Sequence, residues 1–461
     1  MLPDSTEQVN AQCSIPCQVP YTIVASPPEI ADPIEYREIR RFFSPLAFSW
    51  LFMAIEMPIA IGVLSRLPNP KVSEAAYLVI MGIAMWIESP VIDLLTTSTT
   101  LSNDSDSYRQ IRRFTFSLMA WVTIAHAGVA FTPLYGLVTD GLMHLPKELA
   151  DSAQIGLQLL TPWSAFIGWR RFRQGILIRY GETRAVGIGT TVRVLTMLVS
   201  ALGLPFLWQA PGVAIVSASL VFSVAAESMF VHFASASCVR DRLKKAPNHE
   251  PISTGSLVKF HLPLTLTTIL NITALPAVGA ALARTPDGVA QLAGYQVAQT
   301  LVWMLRTTTF ALPEVVITLA KQAANRGRLR SFCLIIGVSC TFIQVIAALT
   351  GLDRWFFGHV LSAKPDTVEL AHMALVSSSL MPLVGGLQSY LRGMLTTIRE
   401  TSSRLYATVA AVTVLTASLI IGVSSGVPGV IFAPIAITLS LLADLLVLTY
   451  FWRKRSAGRL G

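Results

Sequence analysis

Phe42-Phe-Ser-Pro-Leu-Ala-Phe-Ser-Trp-Leu-Phe-Met-Ala-Ile-Glu-Met-Pro-Ile-Ala-Ile-Gly-Val-Leu64 carries a single charge, Glu56. About 20 consecutive apolar residues take a helix across a bilayer, so this run predicts a membrane span. Comparable runs recur at roughly 76–100, 115–138, 150–170, 186–208, 211–236, 257–283, 291–320, 331–352, 367–391, 403–424 and 428–452. The composition of the 461 residues agrees: 53% hydrophobic, only 13% charged, mean hydropathy +0.59. Soluble domains carry about 25% charged residues. The expected fold is an all-α membrane protein of about 12 transmembrane helices.

The net charge of +9 points to orientation in the bilayer, with no nucleic-acid partner. Counted over alternating loops, 27 Lys and Arg fall on one side and 6 on the other, while Arg193 and Arg306 lie inside apolar runs. Basic loops stay in the cytoplasm. The count predicts both termini cytoplasmic, in a bacterial inner (plasma) membrane. Residues 1–35 are polar and Pro-rich, without the apolar core of a signal peptide, and are expected to form a disordered cytoplasmic tail. Cys13 and Cys17 in that tail lack a second ligand pair, and the histidines show no ligand spacing. No metal site and no cofactor are expected. The oligomeric state is left open.

The chain repeats. Phe42 and Phe260 each precede Pro-Leu by three residues (Pro45-Leu46, Pro263-Leu264), at an offset of 218. Tyr77 and Tyr295, Gly168 and Gly386, Gly175 and Gly393, and Glu182 and Glu400 keep the same offset. With an even number of spans per half, both halves enter from one side. The expected architecture is two parallel six-helix bundles, 36–240 and 257–455, joined by a cytoplasmic linker at 241–256 and related by a pseudo-two-fold axis along the membrane normal. Gly175 and Gly393 read as helix terminators at the cytoplasmic ends of the fourth and tenth helices.

Two such bundles, opened by Phe42-Phe-Ser-Pro-Leu46 and Phe260-His-Leu-Pro-Leu264 and carrying Gln174-Gly-Ile-Leu-Ile-Arg179, resemble the multidrug/oligosaccharidyl-lipid/polysaccharide (MOP) exporter superfamily. Pro90-Val-Ile-Asp93 in the second helix is similar to the Pro-x-x-Asp of the progressive ankylosis protein-like branch. The resemblance covers roughly 36–455 and implies export by alternating access. It also implies an acidic coupling residue in the first helix, which here is Glu56.

Charges inside a bilayer cost several kcal/mol each and mark functional positions. The candidates for substrate or ion binding are Glu56, Glu88, Asp93, Arg306 and Glu314. Glu56 precedes Pro58, which breaks the backbone ladder beside it and suits it to H⁺ or Na⁺. Glu88 and Arg306 are 218 apart, so they are expected to meet near the axis as a gate, a substrate-binding pair or a structural ion pair. Asp93 and Glu314 follow helix-bending prolines. Glu227 and Asp444 read as peripheral structural residues. No catalytic set and no ATPase motif occur in the sequence, so the chain is not read as an enzyme or a primary pump. The function expected is a secondary active transporter of a small organic ion or drug. A flippase for a lipid-linked saccharide or other lipid is the first alternative, and a non-transporting scaffold or intramembrane enzyme the second. The partners are the bilayer and a small-molecule or lipid substrate.

Overall fold

The computed structural model describes residues 34–243, 253–320, 325–397 and 402–457. The expected N-terminal tail, with Cys13 and Cys17, and most of the expected linker lie outside the described residues.

Among the described residues, twelve long helical segments follow one another. These are α1 (Tyr36–Leu64), α2 (Pro70–Leu101), α3 (Ser105–Phe131), α4 (Lys147–Leu159 then Trp163–Arg179), α5 (Thr183–Leu207), α6 (Gly212–Leu243) and α7 (Thr254–Ala283). Then come α8 (Gly288–Leu319), α9 (Asn325–Thr350), α10 (Pro365–Ser377 then Met381–Thr397), α11 (Ser403–Ser424) and α12 (Gly429–Arg455). Among the described residues, 10 helices are long and apolar enough to cross a membrane, and 11 if the two parts of α10, bent by 41°, count as one span. The chain is thus an integral membrane protein. The segment outside that count is α4, which carries Arg170, Arg171, Arg173 and Gln174 on its second part. Arg170, Arg173 and Gln174 have partners inside the protein, so the segment is helical without being apolar.

The 218-residue repeat reaches single residues. Tyr36 and Thr254, Pro70 and Gly288, Lys147 and Pro365, and Trp163 and Met381 all open equivalent helices at that spacing. Even the left-handed turn residues pair: Asn69 with Asp287 (φ 54° and 54°), and His144 with Ser362 (φ 56° and 61°).

Prolines set the breaks within the long helices. Pro58 and Pro276 each stand three residues beyond an interruption, at Ile55 in α1 and Thr273 in α7. A proline lacks the N–H for the i−4 carbonyl and crowds it. In α2, Pro90 orphans the carbonyl of Trp86, which accepts from Ser89 Oγ at 2.8 Å, and the helix is interrupted at Asp93. In α8, Pro313 orphans the carbonyl of Thr309, which accepts from Ser389 Oγ at 3.0 Å beside the 3₁₀ turn Thr308–Ala311.

Gly175 and Gly393 correct an expectation. Both helices run on for another turn, so these glycines terminate nothing. A Cβ on Gly175 would lie 2.7 Å from the Leu95 carbonyl oxygen, and one on Gly393 would lie 2.6 Å from Val316 Cβ. Each glycine lets α4 or α10 press against the second part of α2 or α8.

The apolar packing is closed at one end and divided at the other. Leu64, Ile80 and Val213 share one core with Leu282, Leu292, Phe357 and Val430 from the second half. At the end holding the chain termini, Tyr108, Phe172, Val231 and Leu243 form one cluster, and Leu312, Leu329, Met394 and Leu448 form another. The opening helices cross over. Ile39, Phe43 and Ala47 of α1 pack into the second half's cluster, and Leu257 of α7 into the first half's.

Candidate functional site

A chain of charges runs through the interior of the first half. The break at Ile55 makes Glu56 the first residue of a new helical segment, 8% exposed. Arg193 of α5 grips it with both ends of its guanidinium: Nε donates to Oε1 at 2.6 Å and Nη2 to Oε2 at 2.5 Å. Nη1 of Arg193 also lies 3.9 Å from Oε2 of Glu227 on α6. Glu227 in turn accepts from Arg170 Nη1 at 2.6 Å and from Gln174 Nε2 at 2.9 Å, both on α4. Arg170 and Glu227 are each almost fully buried. Planar guanidinium–carboxylate pairing of this kind is the strong form of charge-assisted hydrogen bonding. It is also how a protein holds charges away from water.

The second half contains a reduced version. Asp444 of α12 accepts from Gln388 Nε2 and, at 3.0 Å, from Arg392 Nη2, both on α10. Gln388 and Arg392 are the counterparts of Arg170 and Gln174, with the order reversed. Glu227 and Asp444, read from sequence as peripheral, are therefore the buried centres of the two clusters. The positions 218 residues beyond Glu56 and Arg193 are Ala274 and Ala411, so the Glu56–Arg193 pair belongs to one half alone.

Glu88 and Arg306 do not meet. No hydrogen bond or ion pair joins them among the described residues. Glu88 is 2% exposed, and the charges acting on it belong to Arg170, Arg171 and Arg193 of its own half. Arg306 lies over the Phe310 ring at 5.8 Å and is influenced by Tyr295 and Arg392 of its own half. α2 and α8 do pack together, but each turns its charge back into its own bundle. Asp93 sits at the α2 break, where Thr268 of α7 and Arg171 are the neighbours that act on its charge. His261 of α7 supports the same break, 2.9 Å from both Thr97 Oγ1 and the Pro90 carbonyl oxygen. Glu314 lies just after the α8 break and is exposed.

The structure thus gathers Glu56 and Glu88 around Arg193, links Asp93 to Glu88 through Arg171, and leaves Arg306 and Glu314 apart. The partners that sequence reasoning missed are Arg193, Arg170, Gln174 and Glu227. The available signal was the conjunction of an arginine and a glutamate inside neighbouring apolar runs. Neither charge could be buried without the other. Among the described residues no group of His, Cys, Asp and Glu could hold a metal ion.

No family model matches the sequence, and no curated protein matches it. Solved structures do match. A multidrug resistance MATE family transporter of the MOP superfamily in an inward-facing conformation aligns with TM-score 0.70 and 14% identity, over 91% of this chain and 98% of that one. The outward-facing conformation of a MATE family transporter aligns with TM-score 0.63 and 14% identity, over 91% and 96%. The lipid II flippase MurJ in an inward closed conformation aligns with TM-score 0.67 and 14% identity, over 89% and 87%. The fold is the one these transporters share.

Proposed function

We propose that this chain is a secondary active transporter of the MOP type. On this reading its two bundles rock by alternating access, driven by H⁺ or Na⁺ competing with Arg193 for Glu56. The observation that carries the reading is the Glu56–Arg193 pair at the α1 break. The second half folds the same way with Ala274 and Ala411 in those places, so the pair is not required by the architecture. A cation that takes Glu56 releases Arg193 to Glu227, already 3.9 Å away, and loosens α1 from α5. The apolar core is divided at the end where α1 begins and α12 closes, which supports reading that end as the one where the halves part, and the 27-to-6 distribution of basic residues favours the cytoplasm for that side. The localisation proposed is the inner membrane of a bacterium.

The substrate proposed is a small organic ion. Arg171 and Arg306 each have a buried Nε without a hydrogen-bond partner among the described residues. Glu88 Oε2 and Asp93 Oδ2 are unpartnered as well and answer Arg171 in the first half, whereas among the described residues no carboxylate acts on Arg306, which favours an anionic substrate. The same arginine suits a lipid-linked anion, which keeps the flippase reading as the second choice. The likeness of Pro90-Val-Ile-Asp93 to the ankylosis-like branch also leans toward anions. In proteoliposomes, an imposed H⁺ or Na⁺ gradient should drive uptake of organic anions by the unaltered chain. Glu56→Gln should retain binding and lose the gradient dependence. Gradient-driven transport surviving in Glu56→Gln would refute the assignment.

A further inference from the structure

At the closed end, opposite the chain termini, each half lends an arginine to the other. Arg66 follows α1 and Arg284 follows α7, 218 residues apart. Arg66 Nη1 donates to the carbonyl of Gly62 one turn back, and Nη2 donates across the halves to Val360 O at 2.7 Å. Nη1 also reaches Leu361 O at 3.3 Å. Arg284 Nη1 donates to Ala280 O at 2.7 Å, and Nη2 donates across the halves to Leu142 O and lies 3.0 Å from His144 Nδ1. Gly62 and Ala280, like Leu142 and Val360, stand at the same 218-residue spacing.

The acceptors are built for this role. Leu142 and Val360 lie at the last residues of the π-helical turns Leu137–Met143 and Phe356–Val360, next to last in the first and last in the second. The chain then leaves each turn through left-handed His144 or Ser362. The last carbonyls of a helical turn have no partner within it and carry partial negative charge. A guanidinium satisfies two of them at once.

The geometry points to a two-fold latch: Arg66 and Arg284 together hold the end opposite the termini shut, and both must let go before that end opens. Both arginines are exposed, so water can replace the carbonyls as the halves part. That keeps the latch reversible, where a buried ion pair would be costly to separate. Lys71 pairs with Asp366 across the same boundary. Their counterparts are Val289 and Glu148, so this added contact is one-sided. The inference rests on the alternating-access reading only for what the latch regulates.

The test uses the full chain in lipid nanodiscs, with Cys13 and Cys17 replaced by serine and spin labels on Glu148→Cys and Ser425→Cys, both exposed at the closed end. Pulsed electron resonance gives the distance distribution between the halves. The unaltered pair should show a dominant short distance. Arg66→Gln with Arg284→Gln should raise the long-to-short ratio, with each single variant contributing roughly five-fold, the scale of exposed charge-assisted bonds. Arg66→Lys with Arg284→Lys, which keeps charge and a single donor, should fall between, and replaces the glutamine pair if that pair does not fold. An unchanged distribution in the double variant, or a full effect from one arginine alone, overturns the two-fold latch. The measurement needs no substrate. A chain that transports nothing would still report the latch, and a working transporter with unchanged distances would lose this inference alone.

Discussion

Glu227 and Asp444 lie 217 residues apart, the spacing of Gly212 and Gly429 that open α6 and α12, and each is held by an arginine and a glutamine in opposite order along the neighbouring helix. One geometry is satisfied by either order, because a carboxylate with two oxygens accepts one donor from each helical turn. Exchanging the order in the first half, Arg170→Gln with Gln174→Arg, should therefore leave the protein folded, with a thermal transition close to that of the unaltered chain. Arg170→Gln alone should be much worse. Losing one partner of a buried pair typically costs about 3–5 kcal/mol. Differential scanning fluorimetry of the two variants and the unaltered chain in detergent checks the ordering.

Arg193→Ala should destabilise the chain by a similar amount, because Glu56 is then buried without a counter-charge. Adding Glu56→Ala should recover most of the loss, since Ala274 and Ala411 show that the fold accepts that composition. The double variant should be stable and insensitive to the driving gradient. Unfolding curves and gradient-driven uptake, measured on the same preparations, separate the two effects. Recovery of stability without loss of coupling would count against Glu56 as the coupling site.

Gly175→Ala and Gly393→Ala should each cost about 1–3 kcal/mol, the usual range for overpacking a well-filled interior. The added methyl has no room in either place: it would meet the Leu95 carbonyl in one half and the Val316 side chain in the other. Gly187→Ala and Gly203→Ala, where a Cβ meets nothing within 4 Å, are the controls and should be neutral or slightly stabilising. A larger loss at Gly187 than at Gly175 would contradict the packing described.

Lys71 and Asp366 should report the state of the closed end. Replaced together by cysteine and joined by a short bifunctional reagent, they should tie the halves together and stop transport. The single cysteines treated alike should continue to work. Transport undiminished by quantitative cross-linking would mean that this end does not open during turnover.

Much of the architecture could be read from residue spacing. Phe42 and Phe260, Tyr77 and Tyr295, and Gly175 and Gly393 exposed an offset of 218 that the structure carries down to single turn residues. Prolines 58, 90 and 313 marked helix breaks for a local reason, the missing N–H, which sequence shows directly. The charge partners were harder. Glu227 and Arg193 lie on apolar helices without a polar face, so periodicity does not show which way either side chain points. Equivalence by repeat also misled. Glu88 and Arg306 share a position, but a two-fold axis carries a residue that faces into its own bundle to one that faces into the other. Equal depth is not contact. Gly175 was misread because a glycine near a basic cluster looks like a helix end, and only the opposing helix reveals the close approach.

The crossed arginines carry a statement about ancestry. Arg66 reaches the π-helical turn Phe356–Val360, and Arg284 the π-helical turn Leu137–Met143, so each half supplies one donor and one acceptor to the same boundary. That reciprocity is the contact pattern of an isologous dimer, in which one patch meets its own copy. A half-length chain carrying one such arginine and one such turn would close on a second copy of itself through the same bonds. Gene fusion then needs no new interface, only a connection between the end of one copy and the start of the next. Two of the differences between the halves are charge pairs that the symmetry does not require: the Lys71–Asp366 pair on one side of the boundary, and the Glu56–Arg193 pair in one half.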